Sequence, residues 1–359
     1  MKKLATDKGI EYLLSVDPVE FTDEAGNIKK VSPIQCYKEG HPKGDSYLKY
    51  NFKEYTQKAE DGTPLKKQLF YACNDFIIMQ TFCKDNIGKS DAEPDSVKVY
   101  DKTQVDLIKL LIDEKIITFG KEPLPEKRNL ESGYKTDQYW IDSSKLNSIG
   151  LVDKIANMMI PDFERCYAPK DWTLCLSFPI SGSELAHEVG NHYIREADGL
   201  KKNDPNANVK YKRFAKIRRE SYMDDIALET ADDLRGQVLK DDNVIVVDDT
   251  LSVGVTLCNV QKSLSNAAFM KKKFDVENVS FVGFYSLIDL QRRKKGSFRK
   301  EALAKKMKVE SFITIEDVFN VLYVTKTQSN NTSVVELKDW LENFYLVAKD
   351  NCEEKAVFT

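Results

Sequence analysis

Hydrophobic positions divide the chain into two textures. Through residue 95 short apolar stretches are interrupted by turn signals at Glu24-Ala-Gly-Asn27, Pro42-Lys-Gly44 and Asp61-Gly-Thr-Pro64. Such punctuation predicts short strands near 28–31 and 69–73 in an irregular α+β region. Asn74–Phe82 fits a helix or a buried strand equally, and 90–96 reads as a polar loop. Lys102–Ile117 places Val105, Ile108, Leu111 and Ile112 on one helical face. A linker is expected over 120–133, which holds Pro123, Pro125 and Gly133. Leu146–Cys166 repeats the helical pattern through Ile149, Val152, Ile155 and Met159, with Pro161 expected to kink or end it.

From Trp172 onward, apolar runs alternate with amphipathic ones. Strands are predicted over 172–178, 209–217, 243–247, 276–288 and 311–315. Helices are predicted over 184–196, 221–239, 255–268 and 299–307, with another opening at 316–322. Val244–Val247 is apolar without a break, the mark of a strand covered on both faces of a parallel sheet. This alternation predicts a doubly wound α/β domain, extending over about 165–325. The expected organisation is an N-terminal α+β extension (1–133), an α/β core (134–325) and a C-terminal helical tail (326–359) with an amphipathic helix at 334–349.

Composition narrows the function classes. The 359 residues are 42% hydrophobic and 31% charged, enough apolar material for a full core. Lys and Arg total 54 against 57 Asp and Glu, so no global charge points to nucleic acid or to a basic partner. The densest basic patch, 292–308, reads as a solvated face, with a nucleic-acid contact as the minority reading. Seven cysteines without a Cys-x-x-Cys pair argue against a disulfide framework or zinc knuckle and are assigned to packing. The apolar runs fall far short of the roughly 18 residues that span a bilayer, and the expectation is a soluble protein of a reducing, cytoplasmic compartment without membrane contact. His187 and His192 lie five apart rather than four, which favours structural or solvent-facing roles.

The chemistry concentrates in Asn243-Val-Ile-Val-Val-Asp-Asp-Thr-Leu-Ser-Val-Gly-Val-Thr-Leu257. A buried strand ends in two carboxylates, and a hydroxyl-rich loop with one glycine, read as 248–254, opens into a helix. Ligands of open α/β sheets bind beyond the carboxyl ends of strands. A helix start presents unpaired peptide N–H groups suited to a phosphate monoester. Thr250, Ser252 and Thr256 add hydroxyls, and Gly254 allows close backbone approach. Asp248 and Asp249 suit the vicinal hydroxyls of a ribose or a hydrated Mg²⁺.

This segment resembles the phosphoribosyl pyrophosphate (PRPP) motif of the type I phosphoribosyltransferases: four apolar residues, two acids, a short loop, then glycine followed by Thr or Ser. The resemblance implies a doubly wound parallel sheet of that family's type. It implies that Asp248 and Asp249 contact the ribose hydroxyls, that Thr250, Leu251, Ser252, Val253, Gly254, Val255 and Thr256 hold the 5′-phosphate, and that Mg²⁺ bridges pyrophosphate and ribose. Val253 departs from the Thr that many members carry. The family also cradles pyrophosphate in an earlier turn, which here corresponds to Ser181, Gly182 and Ser183; Ser183 serves equally well as a helix N-cap. A basic strand in the family faces the departing pyrophosphate. It corresponds to 210–219, where six of ten residues are basic and Lys216, Arg218 and Arg219 lie nearest the strand end. The closing Glu310–Phe319 segment, with Thr314 and Asp317 as a helix-entry cap, fits an orotate-type core.

The implied activity is transfer of ribose 5-phosphate from PRPP to a nitrogen nucleophile, most naturally a nucleobase, with release of pyrophosphate. Type I members often form homodimers. The alternative is a non-catalytic PRPP or nucleotide sensor, or a conflict-system (defence) component with a protein or nucleic-acid partner.

Overall fold

The computed structural model describes residues 2–5, 11–16, 19–22, 28–31, 34–38, 51–72, 76–89, 92–119, 139–148, 150–177, 182–206, 211–216, 238–252, 254–291, 302, 307–325, 334–335 and 337–338. The expected linker 120–133, all but the last two residues of the 221–239 helix and nearly all of the 299–307 and 334–349 helices lie outside them. The chain divides into two compact units, 1–105 and 106–359.

The first unit is built of antiparallel strands. β1 (Lys2–Ala5), β2 (Glu11–Val16) and β5 (Ile34–Lys38) form one sheet, and β3 (Val19–Thr22) pairs with β4 (Ile28–Val31). β6 (Asn51–Lys58), β7 (Pro64–Ala72), β8 (Phe76–Cys83) and β9 (Ser96–Asp101) make a four-stranded meander. The ambiguous stretch at 74–82 is thus a strand from Phe76 onward, with Ile77, Ile78 and Met79 buried. β9 begins at Ser96, the last residue of the stretch read as a polar loop. Its alternation of Val97, Val99 with Ser96, Lys98 is short and half polar, and pairing with β8 supplies what local propensity does not.

α1 (Lys102–Asp113) stops earlier than its apolar pattern, because Lys115 takes a left-handed conformation and Ile117 enters β10 (Ile117–Phe119), paired with β11 (Tyr139–Ile141). α2 (Leu151–Cys166) begins five residues later than expected and runs straight through Pro161. Burial of Ile155, Met159, Ile160 and Phe163 outweighs the one helical hydrogen bond that the imino acid removes.

The second unit is organised by a parallel sheet of β12 (Leu174–Ser177), β13 (Arg213–Lys216), β14 (Asn243–Leu251), β15 (Ser280–Asp289) and β16 (Lys308–Thr314), in the order β13-β12-β14-β15-β16. The helices between them are α3 (Gly182–Asn203), α4 (Val255–Ser265) and α5 (Ala267–Phe274), and α6 (Ile315–Thr325) follows the last strand. Counted in chain order the sheet reads 2-1-3-4-5, the doubly wound class expected from the sequence. Val244 and Val246 pack with Leu257, Val260 and Leu264 of α4, while Phe163 of α2 and Tyr193 of α3 enclose Trp172 and Tyr285 in an aromatic cluster.

Two polar devices fix the sheet. At the amino ends, buried Asp242 accepts from the Leu239 N–H, the Thr173 hydroxyl and the Arg213 guanidinium, joining β12, β13 and β14. On the other flank, the Tyr167 hydroxyl lies 2.9 Å from the Phe284 carbonyl and 2.8 Å from that of Lys308, bridging β15 and β16. Tyr167→Phe removes this bridge and is expected to cost about 1–2 kcal/mol in urea unfolding. The Thr314–Asp317 cap is formed reciprocally: the Thr314 N–H donates to Asp317 and the Asp317 N–H to the Thr314 hydroxyl.

A candidate phosphate and ribose site at the sheet switch point

The sheet order reverses between β12 and β14. The chain leaves β12 towards β13 on one side and β14 towards β15 on the other, so right-handed crossovers place α3 and α4 on opposite faces. The connections after β12 and β14 diverge and leave a crevice at the carboxyl ends of these two strands. Of the segments singled out in the sequence, Gly182, where α3 starts, and 248–252 with 254–256 lie at this end.

β14 is longer than its apolar run predicts. It does not end at Val247: the ladder with β15 continues through Asp248↔Ser286, Thr250↔Ile288 and Leu251↔Asp289. The ladder with β12 stops at Leu176↔Val246. The acids therefore sit on strand backbone held from one side only, rather than in a loop. Ladder bonds to β15 override the poor strand propensity of Asp. The connecting loop shrinks to 252–254, and Gly254 adopts φ of 82°, a conformation that opens α4 and is costly for any residue with a Cβ.

The carboxyls of Asp248 and Asp249 are neighbours. Asp248 accepts the Asp249 N–H at 3.0 Å, and Asp249 accepts the Thr250 N–H at 2.8 Å. Burial foremost, then the adjacent Asp249 charge and a side-chain hydrogen bond to it, hold the Asp248 carboxyl well above the usual carboxylate range. A desolvated carboxyl beside a second one is an arrangement that a cation or a set of hydroxyl donors relieves. Mg²⁺ characteristically takes one or two protein carboxylates and completes its shell with ligand oxygens and water, so the donor set fits it.

Gly182, the first residue of α3, backs directly onto this pair. A Cβ placed there would overlap the Asp248 carboxylate and lie 3.1 Å from the Asp248 Cα. The glycine expected to help cradle pyrophosphate thus has a further role: it makes room for the acid. Ser177, which the sequence reading passed over, ends β12 fully buried, and its hydroxyl has no hydrogen-bond partner among the described residues. Nothing in the Leu-Ser-Phe-Pro sequence distinguishes it from a plain strand end.

The basic run divides. Lys212 donates to the Pro169 and Trp172 carbonyls with its ammonium 4.5 Å from the Trp172 ring centroid, and Arg213 pairs with Asp242. Both lie at the amino end of the sheet and are structural. Register places Lys216 opposite Ser177 at the carboxyl end. Arg218, Arg219, Ser181 and Val253 lie outside the described residues, as do the side chains of Lys216, Ser183, Val255 and Thr256. Most of 292–308 does as well. His187 stacks on Phe214 at 5.4 Å. Cys175 and Cys258 are buried and in no disulfide, as packing residues should be, whereas Cys83 is exposed. No helix among the described residues is long and apolar enough to cross a membrane.

No protein-family model and no curated protein sequence matches the chain. Among solved structures it is similar to the UMP synthase of Leishmania donovani, with a TM-score of 0.43 and 16% identity over 66% of this chain. The chain spans 42% of that protein's length. It is also similar to the orotate phosphoribosyltransferase of Mycobacterium tuberculosis H37Rv in complex with inorganic phosphate (TM-score 0.34, 13% identity, 60% of this chain and 90% of that one). A third likeness is to the adenine phosphoribosyltransferase of Leishmania donovani (TM-score 0.35, 15% identity, 63% and 86%).

Proposed function

We propose that the α/β unit binds PRPP at the switch-point crevice and transfers its ribose 5-phosphate to a nitrogen nucleophile, a nucleobase, releasing pyrophosphate. One observation carries this reading: the coupled Asp248–Asp249 pair projects past the end of β12 beside the start of α3, and the chain then turns at Gly254 into α4.

In this reading the peptide N–H groups of 252–256 hold the 5′-phosphate at the α4 N-terminus. Asp248 and Asp249 hold the ribose hydroxyls, and their negative charge near C1 favours the oxocarbenium-like transition state of glycosyl transfer. Ser181, Gly182 and Ser183 donate to the pyrophosphate, and Lys216, Arg218 and Arg219 neutralise its growing charge as it departs. Mg²⁺, held by Asp248 and Asp249 through water or ribose oxygens, supplies electrostatic stabilisation of the leaving group. The nucleophile's lone pair forms the new C1–N bond as the C1–O bond to pyrophosphate breaks.

The test is pyrophosphate release from PRPP and Mg²⁺ against a panel of purine and pyrimidine bases. Base-dependent release supports transfer. A PRPP-induced rise in melting temperature without release for any base supports the sensor reading instead, and no response to PRPP in either measurement removes both.

A further inference from the structure

A second cluster lies away from the crevice, on the face where α2 meets α3. We propose that Glu164 of α2 with His192 and Glu196 of α3 binds a first-row divalent transition ion, zinc(II) foremost, bridging the two helices. One ligand atom from each of the three side chains lies within 4.8 Å of the other two. This group is not a chance run along one helix: His192 and Glu196 are spaced i, i+4 on one face, and Glu164 reaches them from a different element.

The geometry suits such an ion. His192 Nε2 and Glu196 Oε1 are 3.4 Å apart, the edge of a tetrahedron whose centre lies about 2.1 Å from each ligand. A small rotation about the Glu164 side chain closes the third position, and the fourth faces solvent, since Glu196 is exposed and Glu164 and His192 are half-buried. Tyr193 is buried beside His192 in the same helix contact, and its hydroxyl has no hydrogen-bond partner among the described residues. One imidazole with two carboxylates selects ions of the zinc, cobalt or manganese type over Mg²⁺, which prefers oxygen ligands and its own water. Two further charges of α3, Arg195 and Glu188, pair with each other at 3.8 Å.

The packing gives the ion a role. α2 and α3 already meet through Phe163 and Tyr193, whose ring centroids are 6.2 Å apart. An ion across Glu164 and His192 ties the outer edge of the same contact and holds α3, whose first residue backs onto Asp248. Binding to the folded chain alone raises its stability by mass action.

Cobalt(II) as a spectroscopic probe and zinc(II) in calorimetry, both on the full chain, test the site. The proposal expects one equivalent of zinc with a melting temperature raised by several degrees, and visible cobalt bands without the near-ultraviolet thiolate band that cysteine ligation would give. Affinity should fall about 100-fold in His192→Ala and at least about tenfold in Glu164→Gln and in Glu196→Gln. Glu196 is exposed, so its variant keeps the fold. His187→Ala should bind as the wild type does, and millimolar Mg²⁺ should not displace the ion. A thiolate band, unchanged affinity in His192→Ala or Glu164→Gln, or no bound equivalent overturns the assignment.

Discussion

Asp248→Asn is expected to abolish the PRPP response while making the free protein more stable at neutral pH. In the wild type, burial and the Asp249 carboxylate oppose ionisation of Asp248. Its folded-state proton affinity is raised, so between the unfolded value of 3.8 and the higher folded one, the folded chain keeps a proton that the unfolded chain has released. Stability contributed by this group is full below that window and is lost as pH rises through it. Asparagine has the shape of the neutral acid. Its oxygen still accepts the Asp249 N–H and its amide donates to the Asp249 carboxylate, but no charge is forced into the site. Thermal unfolding followed upward from about pH 4 should show the variant gaining on the wild type as pH rises through that window. With PRPP and Mg²⁺ the order reverses. The wild type is stabilised and Asp248→Asn/Asp249→Asn is not, and pyrophosphate release falls about 1,000-fold or more in the double variant. A stable variant that no longer answers PRPP separates loss of the site from loss of the fold; a double variant that still shows the full thermal shift removes these acids from the ligand.

The parts of this arrangement differ in how plainly the sequence announces them. Val244–Val247 is unmistakable as a central strand because both of its faces are covered, and no polar residue breaks the run. The Thr314–Asp317 cap is equally legible, since the capping-box spacing is local and its two bonds need no tertiary partner. The continuation of β14 through Asp248–Leu251 is not legible. It depends on β15, whose pairing residues lie some forty positions away. Nor does the basic run reveal its own division. Lys212 and Arg213 differ from Lys216 only in lying at the start of a four-residue strand rather than its end, and that end is set by pairing with β12. Likewise, His187 and His192 spaced five apart say little, until α2 brings Glu164 beside His192. Local signals are read from the chain; those that need a second element to give them direction are not.

Gly182 is the sharpest case of that second kind, and Gly182→Ala is expected to disable the site without touching a functional group. The added methyl overlaps the Asp248 carboxylate and sits 3.0 Å from its Cγ and 3.1 Å from its Cα. A rotamer change moves the carboxylate but not the Cα, so strand or helix must shift as well. The helix resists, because Leu185, Ala186 and Val189 of its first turns are fully buried. Overpacking of this kind costs about 1–3 kcal/mol. What yields is the acid, which leaves the position where it shares a hydrogen bond with Asp249, and affinity for PRPP with Mg²⁺ should fall by about 100-fold in calorimetry. The same helix supplies the control. At Gly199 an added Cβ meets nothing within 4 Å. Gly199→Ala should therefore bind PRPP normally and gain about 0.5–1 kcal/mol from helix propensity alone. Opposite effects of one methyl group, seventeen residues apart on a single helix, would tie the loss at Gly182 to Asp248 rather than to the helix. Wild-type affinity in Gly182→Ala would mean that this acid can leave its place without consequence, and the crevice would then lose its claim to the ribose.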